Sequence, residues 1–207
     1  MSFPILSLMI ALPLLAALGC LFLSAKGARW LALGATLVLF VLGILLWANF
    51  QVGGPEWQFV EKVGLGTPYL NWNLGIDGIA LMLIMLSVFL MPICIGASWR
   101  AVEKRVPEYM AAFLLMEALM LGVFMAQDLL LFYIFFEAGL IPMYLIIGIW
   151  GGQRRLYASL KFFLFTMLGS LLMLVAILYI GLKTADPLGR PVFAYDMILA
   201  SGSYPGS

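Results

Sequence analysis

Six apolar stretches, each about as long as a lipid bilayer is thick, limit what this chain can fold into. They run over 3–23, 29–50, 78–98, 107–126, 129–150 and 157–182. A hydrocarbon core of about 30 Å takes roughly 20 residues of helix to cross. In lipid every backbone N–H and C=O needs an internal partner, and a helix supplies one along its whole length. The expected fold is therefore all-α: a polytopic membrane bundle of six spans. One membrane unit covers 1–207, with an outer loop over 51–75 and an outer tail over 184–207. Composition agrees, since 65% of the residues are hydrophobic and 10% charged, where soluble domains carry about 25% charge. No basic residue precedes Lys26, so the first stretch reads as a span rather than a cleaved signal. Pro4, Pro13 and Pro92 lie in or near spans, where membrane helices accommodate them.

The loops give an orientation. Lys26 and Arg29, then Arg100, Lys104 and Arg105, then Arg154 and Arg155 fall in loops one, three and five. Loops two and four hold only Lys62, while Lys183 and Arg190 in the tail dissent weakly. Positive residues mark the cytoplasmic side, so the amino terminus is expected to face outward. Loop two, QVGGPEWQFVEKVGLGTPYLNWNLG, has two aromatic-rich runs around GLGTP. It reads either as a surface hairpin or as an irregular loop with Trp57, Tyr69 and Trp72 at headgroup level. In the tail, PVFAYDMILASG is expected to start a short interfacial helix.

Several function classes drop out. A net charge of +1 with no basic run gives no nucleic-acid surface. The chain has no histidine, which removes imidazole relays and the usual zinc sites. Cys20 and Cys94 both fall in spans and read as packing residues rather than a disulfide or metal ligands. There is no Gly-rich phosphate loop and no Ser/His/Asp set.

Three ionisable residues lie well inside spans: Glu117, Glu137 and Lys161. Both glutamates stand ten residues from Gln127, which at a 1.5 Å rise places them about 15 Å below the outer turn. An ionised group at that depth costs about 2.5–3.5 kcal/mol on insertion scales. A carboxyl group withdrawn from water favours its neutral form, which suits it to carry protons near physiological pH. Two readings stand for each acid: proton carrier, or packing device hydrogen-bonded to a neighbouring helix. Pro142 has no N–H, so the carbonyl of Ala138 beside Glu137 is left free for water or a polar side chain; an ordinary kink is the alternative. Lys161 is expected about 8 Å nearer the inner face than Glu137. It either snorkels to the interface or joins a relay. Asp77 and Asp128 look like helix N-caps. Glu103 and Glu108 suit pairing with Arg100, Lys104 or Arg105, and Ser159, Thr166 and Ser170 suit hydrogen bonds between helices.

From Leu129 onward the residues LLLFYIFFEAGLIPMYLIIGIWGG and RRLYASLKFF, with LGIDGIALMLIML before them, resemble the antiporter-like subunit M family of proton-pumping NADH–quinone oxidoreductases, respiratory complex I. The resemblance covers essentially the whole chain and is of bacterial, alpha-proteobacterial type, which implies a multi-pass protein of the bacterial inner membrane. It also implies fourteen-helix proteins built from two inverted five-helix repeats with broken helices. In them a helix-five glutamate, here Glu137, works with a helix-seven lysine. Lys161 corresponds to the helix-six lysine, and Glu117 to a helix-four acid. The sequence ends before a seventh span, so either only the amino-terminal part is represented or the form is truncated, and it supplies only the Glu137 half of the pair. The resemblance implies no cofactor in this chain, with flavin, iron–sulfur clusters and quinone in partner subunits. The implied partners are the other membrane subunits of the complex, adjacent antiporter-like subunits above all, and the lipid bilayer. Related Mrp-type sodium/proton antiporters and membrane-bound hydrogenases share the motifs and stand as the alternative.

Overall fold

The fold is taken from a computed structural model that describes residues 4–64, 71–184 and 191–200. Six long helices follow one another: α1 (Ile5–Leu21), α2 (Ala25–Ala48), α3 (Gly78–Ala101), α4 (Val106–Met125), α5 (Leu129–Trp150) and α6 (Arg155–Lys183). A short α7 (Tyr195–Ala200) follows, and a two-stranded antiparallel sheet, β1 (Gln58–Gly64) and β2 (Asn71–Ile76), joins α2 to α3. Five helices, α2 to α6, are long and apolar enough to cross a membrane. The sixth expected span, α1, has 17 residues, about 26 Å of helix, at the lower limit for crossing.

Helix starts follow the local chemistry. Ser24, Asp77 and Asp128 each cap the helix that follows, their side chains accepting from Gly27 N, from Ala80 N, and from Leu130 N and Leu131 N. The two expected aspartate caps are thus in place. The first turn of α1 is capped from a distance: the Glu61 carboxylate accepts from the backbone N–H groups of Leu6 at 2.8 Å and Ser7 at 3.0 Å, and from the Ser7 hydroxyl. Free N–H groups and the positive end of the helix dipole favour an anion there.

Helix α4 is the hub, packed against α1, α2, α3 and α5. Small residues let the backbones approach, as membrane helices require where no hydrophobic drive separates helix from lipid. Toward the end that carries the basic loops, Ala17, Cys20, Ala28, Ala32 and Ala35 close around Met110 and Leu114. Toward the other end, Leu6, Met9, Leu39, Ile84, Leu121 and Phe135 form the second core. Both cysteines are free. At the basic end Arg29 Nη2 donates to Val102 O at 2.8 Å, Trp150 Nε1 donates to Lys104 O at 2.9 Å, and Arg105 pairs with Glu108.

The opposite end is roofed. Of the two readings of loop two, the hairpin holds: Val63 pairs with Trp72 and Lys62 with Asn73, with a bulge between Gln58 and Glu61 where Phe59 takes a φ of 54°. Its tip, 65–70 with Tyr69, lies outside the described residues. Trp72 is not merely interfacial; its Nε1 donates to Ser7 Oγ at 2.9 Å and its ring meets Phe135 edge-on. Gln127 N donates to Asn73 O at 2.9 Å, tying the hairpin to the α4–α5 turn. The segment after α6 folds back over the same turn, with Leu129 N donating to Phe193 O and Tyr195 N to Gln127 O, both at 3.0 Å. The short helix expected from PVFAYDMILASG is α7; Arg190 and 201–207 lie outside the described residues.

Candidate functional site

The two acids are at matching depth. Glu117 stands eight residues inside the outer end of α4 at Met125, and Glu137 eight residues inside the outer end of α5 at Leu129, about 12 Å each. They do not share a face. The helices α4 and α5 touch where a Cβ on Gly122 would lie 2.6 Å from the Phe135 ring. At 100° per residue, Glu117 lies about 140° around α4 from Gly122, and Glu137 about 160° around α5 from Phe135. Each acid turns away from the seam.

Glu117 falls on the stripe of Met110, Leu114 and Leu121, all fully buried. It is 1% exposed, and neither carboxylate oxygen has a hydrogen-bond partner among the described residues. It is an acid sealed in the core formed by α4 with α1, α2 and α3. Glu137 is half-buried, and its Oε2 is buried without a partner among the described residues. It lies on the α5 face that carries Tyr144 and Gly148 seven and eleven residues on, and that face packs on α6. The Tyr144 and Phe163 rings sit 5.5 Å apart, and Gly148 approaches Ser159 Oγ.

Those two contacts fix an antiparallel register. Four residues along α5, Tyr144 to Gly148, match four residues back along α6, Phe163 to Ser159. Seven residues the other way, Tyr144 to Glu137, bring Ser170 to the level of Glu137. Ser170 is 3% exposed, and the helix packed along α6 is α5, so its side chain is covered from that side. Ser159, Thr166 and Ser170 do not bond between helices as expected; each donates to a carbonyl of its own helix, Leu156 O, Phe162 O and Met167 O.

Lys161 is not brought to Glu137. It is exposed, its Nζ 5.8 Å from the centre of the Tyr157 ring. It is two residues, about 200°, around α6 from Ser159 and so faces away from α5. Nine residues separate it from Ser170, an axial offset of about 14 Å rather than 8 Å; α6 begins at Arg155, and the contacts with α5 set the register. Pro142 is buried inside an unbroken α5 and faces an apolar groove of about 530 Å³ between α1, α4 and α5, not the Glu137 face. Leu14, Leu18, Leu115 and Leu145 line that groove, with Arg105 and Glu108 at one end.

Outside the spans, Asp128 is 1% exposed with one carboxylate oxygen capping α5 and the other, Oδ2, unpartnered among the described residues. Burial raises its pKa, against the two backbone hydrogen bonds that hold the anion. No group of side chains suited to a metal ion occurs among the described residues.

The fold has counterparts in known proteins. Residues 7–127 match the family model for NADH-ubiquinone oxidoreductase chain 4, amino terminus, and 126–186 match that for the NADH:quinone oxidoreductase/Mrp antiporter transmembrane region. The two matches meet at the outer turn between α4 and α5. NADH-quinone oxidoreductase subunit M of Rhodobacter capsulatus is 55% identical over 165 residues, covering 78% of this chain and 31% of that one. A chain of respiratory complex I from Thermus thermophilus with bound NADH superposes with a TM-score of 0.81 at 31% identity, over 95% of this chain and 39% of that one. A chain of the Mrp complex from Dietzia sp. shares the fold, with a TM-score of 0.72 at 19% identity, over 90% of this chain and 20% of that one. The chain spans between three and four tenths of the length of the complex I relatives it matches.

Proposed function

Since the chain belongs to the family of NADH-ubiquinone oxidoreductase chain 4, we propose that it forms part of a proton-translocating membrane subunit of an NADH:quinone oxidoreductase in a bacterial inner membrane. In this reading, electron transfer through flavin, iron–sulfur clusters and quinone belongs to partner subunits. Its own contribution is electrostatic. A charge change in an adjacent antiporter-like subunit shifts the proton affinity of Glu137, which loads and then releases a proton.

The observation that carries this reading is the position of Glu137: mid-depth, on the α5 face packed against α6, with Oε2 buried and unpartnered. A packing acid would be hydrogen-bonded; an unsatisfied one is costly to keep and is expected to serve function. Glu117 is an accessory acid acting from the other side of the α4–α5 pair. Lys161, on the open face of α6, biases Glu137 through the electric field or links it toward the inner face rather than through contact. Pro142 frees the Ala138 carbonyl one residue from Glu137.

The test is Glu137→Gln in the assembled enzyme. NADH-driven proton uptake by inverted membrane vesicles should be largely lost while the complex still assembles. Unchanged pumping with full assembly would reduce the chain to a structural anchor. A second reading, a subunit of a sodium/proton antiporter, draws on the Mrp fold likeness. It predicts purification without flavin and iron–sulfur subunits, and sodium-dependent proton exchange without NADH.

A further inference from the structure

We propose that Ser170 is the hydrogen-bonding partner that positions Glu137 and holds its ionised form, which makes the α5–α6 contact part of the proton-carrying site. The inference rests on the reading of Glu137 as proton carrier.

Three observations converge on it. Independent contacts at Tyr144–Phe163 and Gly148–Ser159 set one register, and that register carries Ser170 to the level of Glu137. Ser170 is 3% exposed although α6 is otherwise open on most of its surface, so the hydroxyl sits under α5. Glu137 Oε2, on the α5 face turned to α6, is buried without a partner.

Glu137 Oε2 and Ser170 Oγ are not bonded to each other in this structure, so the contact forms when the Glu137 side chain swings toward α6 and the serine hydroxyl turns to meet it. Ser170 Oγ now donates to Met167 O at 2.9 Å. A hydroxyl has one proton to give and two lone pairs to offer. With Glu137 protonated, Ser170 keeps its bond to the Met167 carbonyl and accepts the carboxylic O–H. With Glu137 ionised, the hydroxyl turns and donates to the carboxylate, a charge-assisted bond stronger than the neutral one it leaves. Ser170 neither gains nor loses a proton overall. The proton on Glu137 comes from and goes to water or another carrier, and Ser170 is a positioning residue rather than part of the chain of carriers.

The experiment uses the complete oxidoreductase, with Ser170→Ala, Ser170→Thr, Ser170→Cys and Glu137→Gln in the full-length subunit. Infrared difference spectra of the enzyme on reduction by NADH report protonated carboxyl groups, and the band lost in Glu137→Gln identifies Glu137. In Ser170→Ala that band moves to higher frequency, as for a carboxyl group that has lost a hydrogen bond. The rate of NADH-driven proton uptake falls about tenfold or more, in keeping with one charge-assisted bond. Ser170→Thr keeps the hydroxyl and restores both readouts. If Ser170→Ala does not assemble, Ser170→Cys, close in size with a weak donor, gives the same displacement to a smaller degree. An unmoved band in Ser170→Ala, or in Ser170→Cys where that replaces it, overturns the inference even if pumping falls, because the residue then acts by packing. Normal pumping in Glu137→Gln overturns the underlying reading instead.

Discussion

The seam between the two acid-bearing helices is open to disruption by a single substitution. A Cβ added at Gly122 would lie 2.6–2.8 Å from three atoms of the Phe135 ring. Ordinary carbon contacts begin near 3.4 Å, so the ring or the helix must yield by about 0.6–0.8 Å. The ring cannot swing freely, because it also meets Trp72 edge-on at 5.8 Å between centroids, and Trp72 is held by Ser7. Overpacking of this kind costs about 1–3 kcal/mol. Gly122→Ala is thus expected to lower the unfolding free energy of the full-length subunit by that amount, measured by titration with SDS in mixed micelles and read by tryptophan fluorescence. Phe135→Leu removes the obstructing ring at its own cost, and in the double mutant the Gly122→Ala penalty should shrink to less than half. Equal penalties in the two backgrounds would mean that the methyl group and the ring never compete, and that the seam is placed wrongly.

Removal of the distant cap by Glu61→Ala should destabilise the outer end of α1 by about 1–3 kcal/mol, the range for a lost charged hydrogen-bond acceptor, whereas Glu61→Gln keeps an acceptor and should lose less; amide hydrogen exchange at Leu6 and Ser7 reads this directly. Because burial raises the Asp128 pKa, its protonated form favours the folded roof. That contribution is complete below the ordinary carboxylate pKa and fades as pH rises through the raised one. Proteolysis within 191–200 should accelerate over that window in the wild type and stay flat in Asp128→Asn. Gly181→Ala places a methyl group 2.1–2.7 Å from the Phe193 ring, so it should unseat the same segment and raise its cleavage rate at every pH.

Much of the fold was legible because the bilayer sets the length of an apolar run. The stretch 129–150 coincides with α5, and 107–126 differs from α4 by one residue at each end. Asp77 and Asp128 mark helix starts by a local bond that their side chains can make, whereas Ser24, which caps α2 in the same way, went unread and the start of that helix was placed four residues late. Which way each helix faces was not legible. A helix apolar on every side carries no stripe that points to a core, so the depth of Glu117 and Glu137 could be counted but not their divergence. The same silence hid the face of Lys161. Its offset from Glu137 depends on how α6 slides along α5, and only the contacts at Tyr144 and Gly148 set that. Glu61 escaped notice because its partners lie more than fifty positions away in the chain.

Within the bundle the helix α6 leans chiefly on α5, and at its far end Gly181 meets Val192 and Phe193. A rod held mainly along one face can roll or slide against α5 with little resistance from the cores around α4. One residue's worth of roll would swap Ser170 for Gly169 or Leu171 opposite the acid. Any displacement of α6 along α5 would therefore change which group stands opposite Glu137.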